Sequence, residues 1–278
     1  MRVAILLTCF NRKQQTLSCL ENAYSSLEIL NRYEFDFYLV DDGSTDGTSQ
    51  FISSNYPSLK YIYQNNRGVS AARNIGIKSA RSNWIAFLDS DDEWLNTKLV
   101  EQLKLLKKHP EIKFIHTDET WIRNNNEVKQ KQSHKKYGGY IFNKSLEKCR
   151  ISPSTVVCKR SLLIELNGFD EDLLICEDYD LWLRITSMNN ILFINKPLIK
   201  KYGGHEDQLS INHNGIEKYH IQSLEKLIGQ NFPFEQNQKM IKMLITKIKI
   251  FAQGAKKRGR IDTYHKFIKR IDELSSLL

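Results

Sequence analysis

Short apolar runs alternate with longer amphipathic stretches through the first half of the chain. Residues 3–8, 35–40, 59–63, 84–88 and 113–117 are rich in aliphatic and aromatic side chains, and each has the length of a buried strand. Between them lie stretches with helical spacing. Residues 12–30 carry Leu17, Leu20, Tyr24 and Leu27 on one side, and residues 48–54, 70–80 and 95–108 follow, the last stopped by Pro110. Strands joined by helices predict the α/β class: a mainly parallel, twisted sheet flanked by helices, with right-handed crossovers.

Past residue 120 the pattern changes. Residues 121–140 are polar and rich in Asn and Lys, which predicts a hairpin and a flexible loop. Residues 153–158 read as a strand, 178–188 as a helix carrying Leu181, Leu183 and Ile185, and 191–195 as a strand again. From Asn214 onward the pattern is all helical, with Ile241, Leu244, Ile245, Ile248 and Phe251 forming one apolar stripe. The expected organisation is a nucleotide-binding and catalytic unit over residues 1–212 and a basic helical extension over residues 213–278.

Composition narrows the class. The 278 residues have no low-complexity tract and no internal repeat. No apolar run approaches the ~18 residues of a membrane span. The opening residues, from Met1 to Thr8, read as a first core strand rather than a secretion signal. The five cysteines are odd in number and contain no C-x-x-C pair, which favours inert reduced thiols and a cytoplasmic location over a disulfide framework or a zinc site. The formal charge is +9, and residues 234–278 hold eleven basic against four acidic residues. That concentration suits solvated helices or a peripheral contact with anionic membrane lipid. Without an aromatic stacking platform it does not indicate nucleic acid.

Polar residues gather where the predicted strands end. Thr8, Asn11 and Arg12 follow the first strand, Asp41 and Asp42 the second, and Asp89, Ser90, Asp91, Asp92 and Glu93 the fourth. In open α/β sheets ligands bind at the carboxyl edge of the strands. Asp89 and Asp91 alternate, so an extended backbone turns both carboxylates to one side. They form a hard-oxygen pair suited to Mg²⁺ or Mn²⁺ and, through it, to phosphate. Asp92 and Glu93 read as acids at a helix start. Gly43, Ser44, Asp46 and Gly47 read as turn and cap residues, whereas Asp41 abuts the strand and can accept from a base or a ribose. Small residues with Arg67 and Arg73 at a helix start suit an anionic ligand. Glu177, Asp178 and Asp180 open a further helix, where acids are often only dipole partners. If that turn faces the metal site, Glu177 or Asp178 is the natural general base. His205 lies in a polar, glycine-rich segment and is either structural or a contact to metal or phosphate. Neither a dinucleotide fingerprint nor a P-loop is present.

As a set, these motifs resemble the family 2 glycosyltransferases of the GT-A fold. The resemblance rests on Thr8-Cys9-Phe10-Asn11-Arg12, on Val40-Asp41-Asp42-Gly43-Ser44-Thr45-Asp46-Gly47-Thr48 and on the stretch from Asn66 to Gly76. It rests also on Phe87-Leu88-Asp89-Ser90-Asp91-Asp92 and on Gly168-Phe169-Asp170-Glu171 leading to Glu177-Asp178-Tyr179-Asp180-Leu181-Trp182. It implies inverting transfer of a hexosyl or N-acetylhexosaminyl group from a nucleotide-diphosphate sugar, a UDP-sugar foremost, to a hydroxyl of a glycan or lipid-linked acceptor. Surface polysaccharide or lipopolysaccharide synthesis is the implied setting. Thr8, Asp41 and Arg73 would contact the base, and Asn11 and Arg12 would line the donor site. Asp89 would hold ribose or metal, Asp91 would ligate Mn²⁺ or Mg²⁺ with His205 as a third contact, and Asp178 would be the base with Glu177 beside it. Cys9 and Phe10 stand where the family often has proline and tyrosine. Two other classes are weighed: a nucleotidyltransferase, against which stands the absence of glycine from the first loop, and a non-catalytic sugar-nucleotide-binding scaffold, against which stands the retention of Asp89, Asp91, Glu177 and Asp178 together.

Overall fold

The structure is a computed structural model that describes residues 1–27, 30, 33–204, 215–230 and 232–278. Among these, nine strands form one sheet: β1 (Arg2–Cys9), β2 (Glu34–Asp41), β3 (Lys60–Tyr63), β4 (Trp84–Asp89), β5 (Asp92–Trp94), β6 (Phe114–Arg123), β7 (Asn126–Val128), β8 (Val157–Lys159) and β9 (Leu192–Tyr202). Their order is β3-β2-β1-β4-β8-β6-β9-β5, with β7 paired to β6. The half made of β3, β2, β1 and β4 is parallel throughout. The other half is mixed. β8 runs antiparallel to β4 and β6, β9 parallel to β6, and β5 antiparallel to β9. Register shifts at Thr117, Asp118 and Thr120 bend the β6–β9 pair.

Both faces of the sheet are covered, and β1 shows how. Val3, Ile5 and Leu7 enter one apolar layer with Leu20, Leu39, Leu88 and Trp94. Ala4 and Leu6 enter the other with Ile85, Phe87, Phe114 and Trp182. A strand buried on both sides needs apolar residues at every position, which is why this one reads as a continuous run. The helices α1 (Lys13–Leu27), α2 (Thr48–Asn55), α3 (Val69–Ser79) and α4 (Lys98–Lys108) provide the crossovers. Helix α3 sits especially close to the sheet. A Cβ added at Gly76 would meet the Leu6 methyls at 3.2 and 3.3 Å and Val40 Cγ2 at 3.4 Å.

Several elements differ from the sequence reading. Asp92 and Glu93 do not start a helix, because Asp92–Trp94 is strand β5, aligned with Lys201, Lys200 and Ile199 of β9. β9 itself runs on to Tyr202, well past the predicted strand end. Residues Pro153–Thr155 are a 3₁₀ turn, as a proline at its start permits, and only the residues after it pair as β8. The short helices α5 (Phe142–Glu147) and α6 (Arg160–Glu165) have too few turns to show a period in the sequence.

Helix α7 (Glu177–Thr186) joins this unit to α8 (Ile216–Leu227), α9 (Phe234–Lys257) and α10 (Ile261–Ser275). The apolar stripe of α9 faces inward. Ile241, Leu244, Ile245 and Ile248 share a core with Tyr179 and Leu183 of α7, with Phe142 and Leu146 of α5 and with Leu224 of α8. The C-terminal helices therefore lean on the helix that carries the candidate base. Among the described residues no helix is long and apolar enough to cross a membrane.

This shared core is testable. Leu244→Ala should cost about 2–5 kcal/mol, the usual range for truncating a buried leucine. Urea unfolding should be followed by the fluorescence of Trp84, Trp94, Trp121 and Trp182, all of which precede the extension. We expect their transition midpoint to fall; an unchanged midpoint would mean that the C-terminal helices unfold independently.

Candidate active site

A cavity of about 760 Å³ opens at the carboxyl ends of the parallel strands. Thr8 of β1 is in register with Asp89 of β4, and both line it. One turn of α3 organises what surrounds them. The buried guanidinium of Arg73 donates to Asp89 Oδ1 at 2.7 Å and to Glu177 Oε1 at 2.6 Å, joining the end of β4 to the start of α7. Burial opposes the charge on Arg73, but the two carboxylates outweigh it and hold the group protonated. The next residue, Asn74, accepts from Phe169 N at 2.8 Å and donates to Phe169 O at 2.8 Å. A Cβ on Gly168 would lie 2.3 Å from Asn74 Oδ1, at φ +67°, so both the space and the backbone there require glycine.

The loops from β1 and β2 are stapled together. Asn11 Oδ1 accepts from Thr45 N at 2.7 Å, and Asn11 N donates to Ser44 Oγ at 2.8 Å. Asp42 accepts from Arg67 N and Gly68 N, both at 2.8 Å, which sets the turn into α3. Asp42 also lines the cavity. Asp41 does not. It is fully buried, with Oδ1 accepting from Ser44 N and Oδ2 from Tyr61 Oη, each at 2.7 Å.

Asp91 lies beside Asp89 on the cavity wall, with Arg12 Nη1 2.8 Å from its Oδ2. The side chains of Asp89 and Asp91 remain 26% and 22% accessible. Among the described residues no cluster of three or more His, Cys, Asp or Glu forms a metal cage. Two accessible carboxylates on a cavity wall nevertheless fit a hard divalent ion that takes its other ligands from water and substrate phosphates. His205 lies outside the described residues.

Across the cavity, α7 begins abruptly. Its N-cap is Cys176 in the left-handed region at φ 64°, a strained position for a residue with a side chain. Glu177 is buried, and burial together with the neighbouring Asp178 raises its carboxyl to about 7 against the pull of Arg73. Asp178 is half-buried and lines the cavity. Its Oδ1 accepts from Tyr179 N at 2.7 Å, and the Cys149 thiol donates to its Oδ2 at 3.3 Å. Burial keeps Cys149 a thiol rather than a thiolate. Asp180 faces away, paired with Arg184 on its own helix at 2.5 Å.

The structure thus brings Thr8, Asn11, Arg12, Arg73, Asp89, Asp91, Glu177 and Asp178 to one cavity. It adds residues that the sequence reading missed. Lys201 reaches the site from β9, donates to Ser152 Oγ at 2.8 Å, and stays charged because Glu119, Asp92, Asp178 and Asp89 outweigh its burial. Asp92 is buried beside it, its carboxyl pushed well up by burial and by Asp91. Ile216 and His220 enter from α8. No local signal marks these residues; only strand pairing and helix docking bring them in.

The sheet order and the helices on its two faces are those of the GT-A glycosyltransferase fold. Residues 4–166 match the family model of glycosyl transferase family 2, and the chain belongs to that family. It is 33% identical over 219 residues to the Escherichia coli UDP-Glc:alpha-D-GlcNAc-diphosphoundecaprenol beta-1,3-glucosyltransferase WfgD, across 76% of this chain and 80% of that protein. It is also 33% identical, across 72% of its length, to an uncharacterised glycosyltransferase of Rickettsia felis, but spans only 32% of that protein. In three dimensions it superposes on Staphylococcus aureus TarS 1–349 in complex with UDP-GlcNAc with a TM-score of 0.73 at 18% identity, covering 99% of this chain and 84% of that one.

Glu177 gives the site a pH signature. A carboxyl raised from 4.5 to about 7 on folding binds its proton more tightly in the folded state. It therefore contributes stability that is complete at low pH and is lost as pH rises through the folded value. Urea unfolding of the wild type should weaken between about pH 4.5 and 7, and Glu177→Gln should flatten that part of the profile. A variant with the wild-type slope would assign the titration elsewhere.

Proposed function

We propose that this chain is an inverting, metal-dependent glycosyltransferase that moves a hexosyl or N-acetylhexosaminyl group from a UDP-sugar to a hydroxyl of a lipid-linked glycan. The observation that carries this reading is the bridge through Arg73. It holds Asp89, on the side of the paired donor-site acids, and Glu177, next to the candidate base, against one cavity. The name of the Escherichia coli relative supports both the UDP-sugar donor and the lipid-diphosphate-linked acceptor.

The nucleoside is assigned to the end of the cavity formed by Thr8, Asn11 and Asp42, with Arg73 behind it. Asp89 and Asp91 would hold Mn²⁺ or Mg²⁺, with His205 as the third protein contact. When bound, the ion would neutralise charge growing on the departing diphosphate. The protein cations near these acids are engaged. Arg73 is spread over two carboxylates and Arg12 pairs with Asp91, so a divalent ion held by Asp89 and Asp91 would supply positive charge for the diphosphate.

Asp178 acts as general base. The Tyr179 amide and the Cys149 thiol fix its rotamer. It removes the acceptor proton as the hydroxyl oxygen attacks the anomeric carbon and the bond to the diphosphate breaks, so one displacement completes the transfer. Glu177 is bridged to Arg73 and serves to position the helix start. The reaction is placed at the cytoplasmic face of the membrane. The surplus of basic residues after residue 233 supplies a peripheral electrostatic contact with anionic lipid, and nucleic acid is not a partner.

Asp178→Asn keeps the size of the side chain and removes the base. Transfer should fall by roughly 10²-fold or more, while UDP binding in the presence of Mn²⁺ stays near that of the wild type. Near-normal transfer by this variant would refute the assignment of the base. Release of UDP from UDP-glucose and UDP-N-acetylglucosamine should require a divalent ion and stop on addition of EDTA; release undiminished by chelation would remove the metal from the mechanism.

A further inference from the structure

The cavity has a wall that the reaction as described does not use. His220, on α8, lines it and is 5% exposed. Its ring lies against Tyr179, the residue after Asp178, with centroids 4.4 Å apart and planes 43° apart. The Tyr179 hydroxyl is anchored on Leu146 O at 2.7 Å, so this ring is a fixed platform. His220 Nδ1 is buried without a hydrogen-bond partner and points toward Glu217 Oε1, 3.6 Å away. Glu217 is held in turn by Lys247 Nζ at 3.1 Å, and Lys247 also donates to Glu147 O at 3.0 Å. Two helices of the C-terminal extension thus orient one imidazole over the cavity. Beside it on the same wall lie Ile175 and Ile216, the latter 40% exposed.

A buried imidazole that lines a cavity and turns Nδ1 toward a carboxylate leaves its other ring nitrogen for a ligand. An apolar surface next to one oriented polar group matches a sugar ring, which offers a C–H face and a rim of hydroxyls. We propose that His220 is an acceptor-binding residue that hydrogen-bonds a hydroxyl of the acceptor sugar while the ring of that sugar packs on Ile216 and Ile175. The carboxylate of Glu217 sets the imidazole orientation from behind. The extension is then the part of the chain that recognises the acceptor. This rests on the transferase reading above and adds to it the location and chemistry of the acceptor subsite.

His220→Phe tests it, because phenylalanine keeps the ring against Tyr179 and removes both nitrogens. The probes are UDP-glucose and a synthetic α-GlcNAc-diphosphoryl alkyl acceptor. The variant should raise the KM for the acceptor by roughly tenfold, the scale of one lost substrate hydrogen bond. The KM for UDP-glucose and the slow release of UDP without acceptor should stay within about twofold of wild type, as uncoupled donor chemistry requires. His220→Gln should restore part of the acceptor affinity. Should His220→Phe fail to fold, Glu217→Gln leaves the ring in place and should raise the acceptor KM in the same selective way. An unchanged acceptor KM, or donor and acceptor KM rising together, would overturn the assignment. If the acceptor does not stimulate UDP release by the wild type, the transferase reading falls for this acceptor, and the subsite proposed for it falls with it.

Discussion

The site hangs on one buried guanidinium. Arg73 is taken out of water by the packing of α3 on the sheet, and it can remain charged there only because Asp89 and Glu177 meet it at hydrogen-bond distance. Removing one partner of such a buried arrangement typically costs about 3–5 kcal/mol, because the remaining charge is left without compensation. Here the cost would fall on geometry as well as stability. Asp89 ends a strand of the parallel half-sheet, and Glu177 begins a helix more than eighty residues later. No other contact joins those two side chains so directly. The close approach of α3 that makes the bridge possible depends in turn on small residues, with Gly76 against Leu6 and Val40. Asn74, one residue on, fastens the Gly168–Phe169 turn that leads toward α7.

Around that bridge the charges are arranged in layers rather than scattered. The cavity wall is acidic at Asp89 and Asp91 and again at Glu177 and Asp178, with Arg12, Arg73 and Lys201 set between them. Burial sorts the acids. Glu177 and Asp92 are buried and their carboxyls are raised, whereas Asp89, Asp91 and Asp178 remain partly exposed. Two accessible carboxylates side by side, Asp89 and Asp91, are the part of this wall that fits a hard divalent ion.

The C-terminal helices belong to the same argument. Their basic residues suggested a surface function, and the outward side of α9 does carry exposed lysines and Ile250. Their apolar side, however, is spent on a core shared with α7 and α5. By supporting the helix whose first turn carries Asp178, and by placing Ile216 and His220 on the cavity wall, the extension shapes the site as well as stabilising it.

Much of this was legible in the sequence, because the forces concerned are local. A strand buried on both faces must be apolar at every position, so β1, β2 and β4 announce themselves, and acids placed where such strands stop point to the ligand edge of an α/β sheet. The motif set carried the family, and the acids opening α7 were recognisable as a helix start. What the sequence could not show depends on partners distant along the chain. Asp92 looked like a helix-start acid and became a strand residue because β9 pairs with it. Asp41 looked ready for a ligand, but Tyr61 and Ser44 take both its oxygens, and Asp42 lines the cavity instead. Lys201, Cys149 and His220 belong to stretches that signal nothing by themselves. The sequence by itself determined the alternating sheet-and-helix plan and the chemistry at the strand ends, since both follow from periodicity and local backbone geometry. Only the tertiary structure decided which charges face each other and which wall the extension supplies, because a buried charge or an imidazole acquires its role from groups that the fold, not the chain order, brings within a few ångströms.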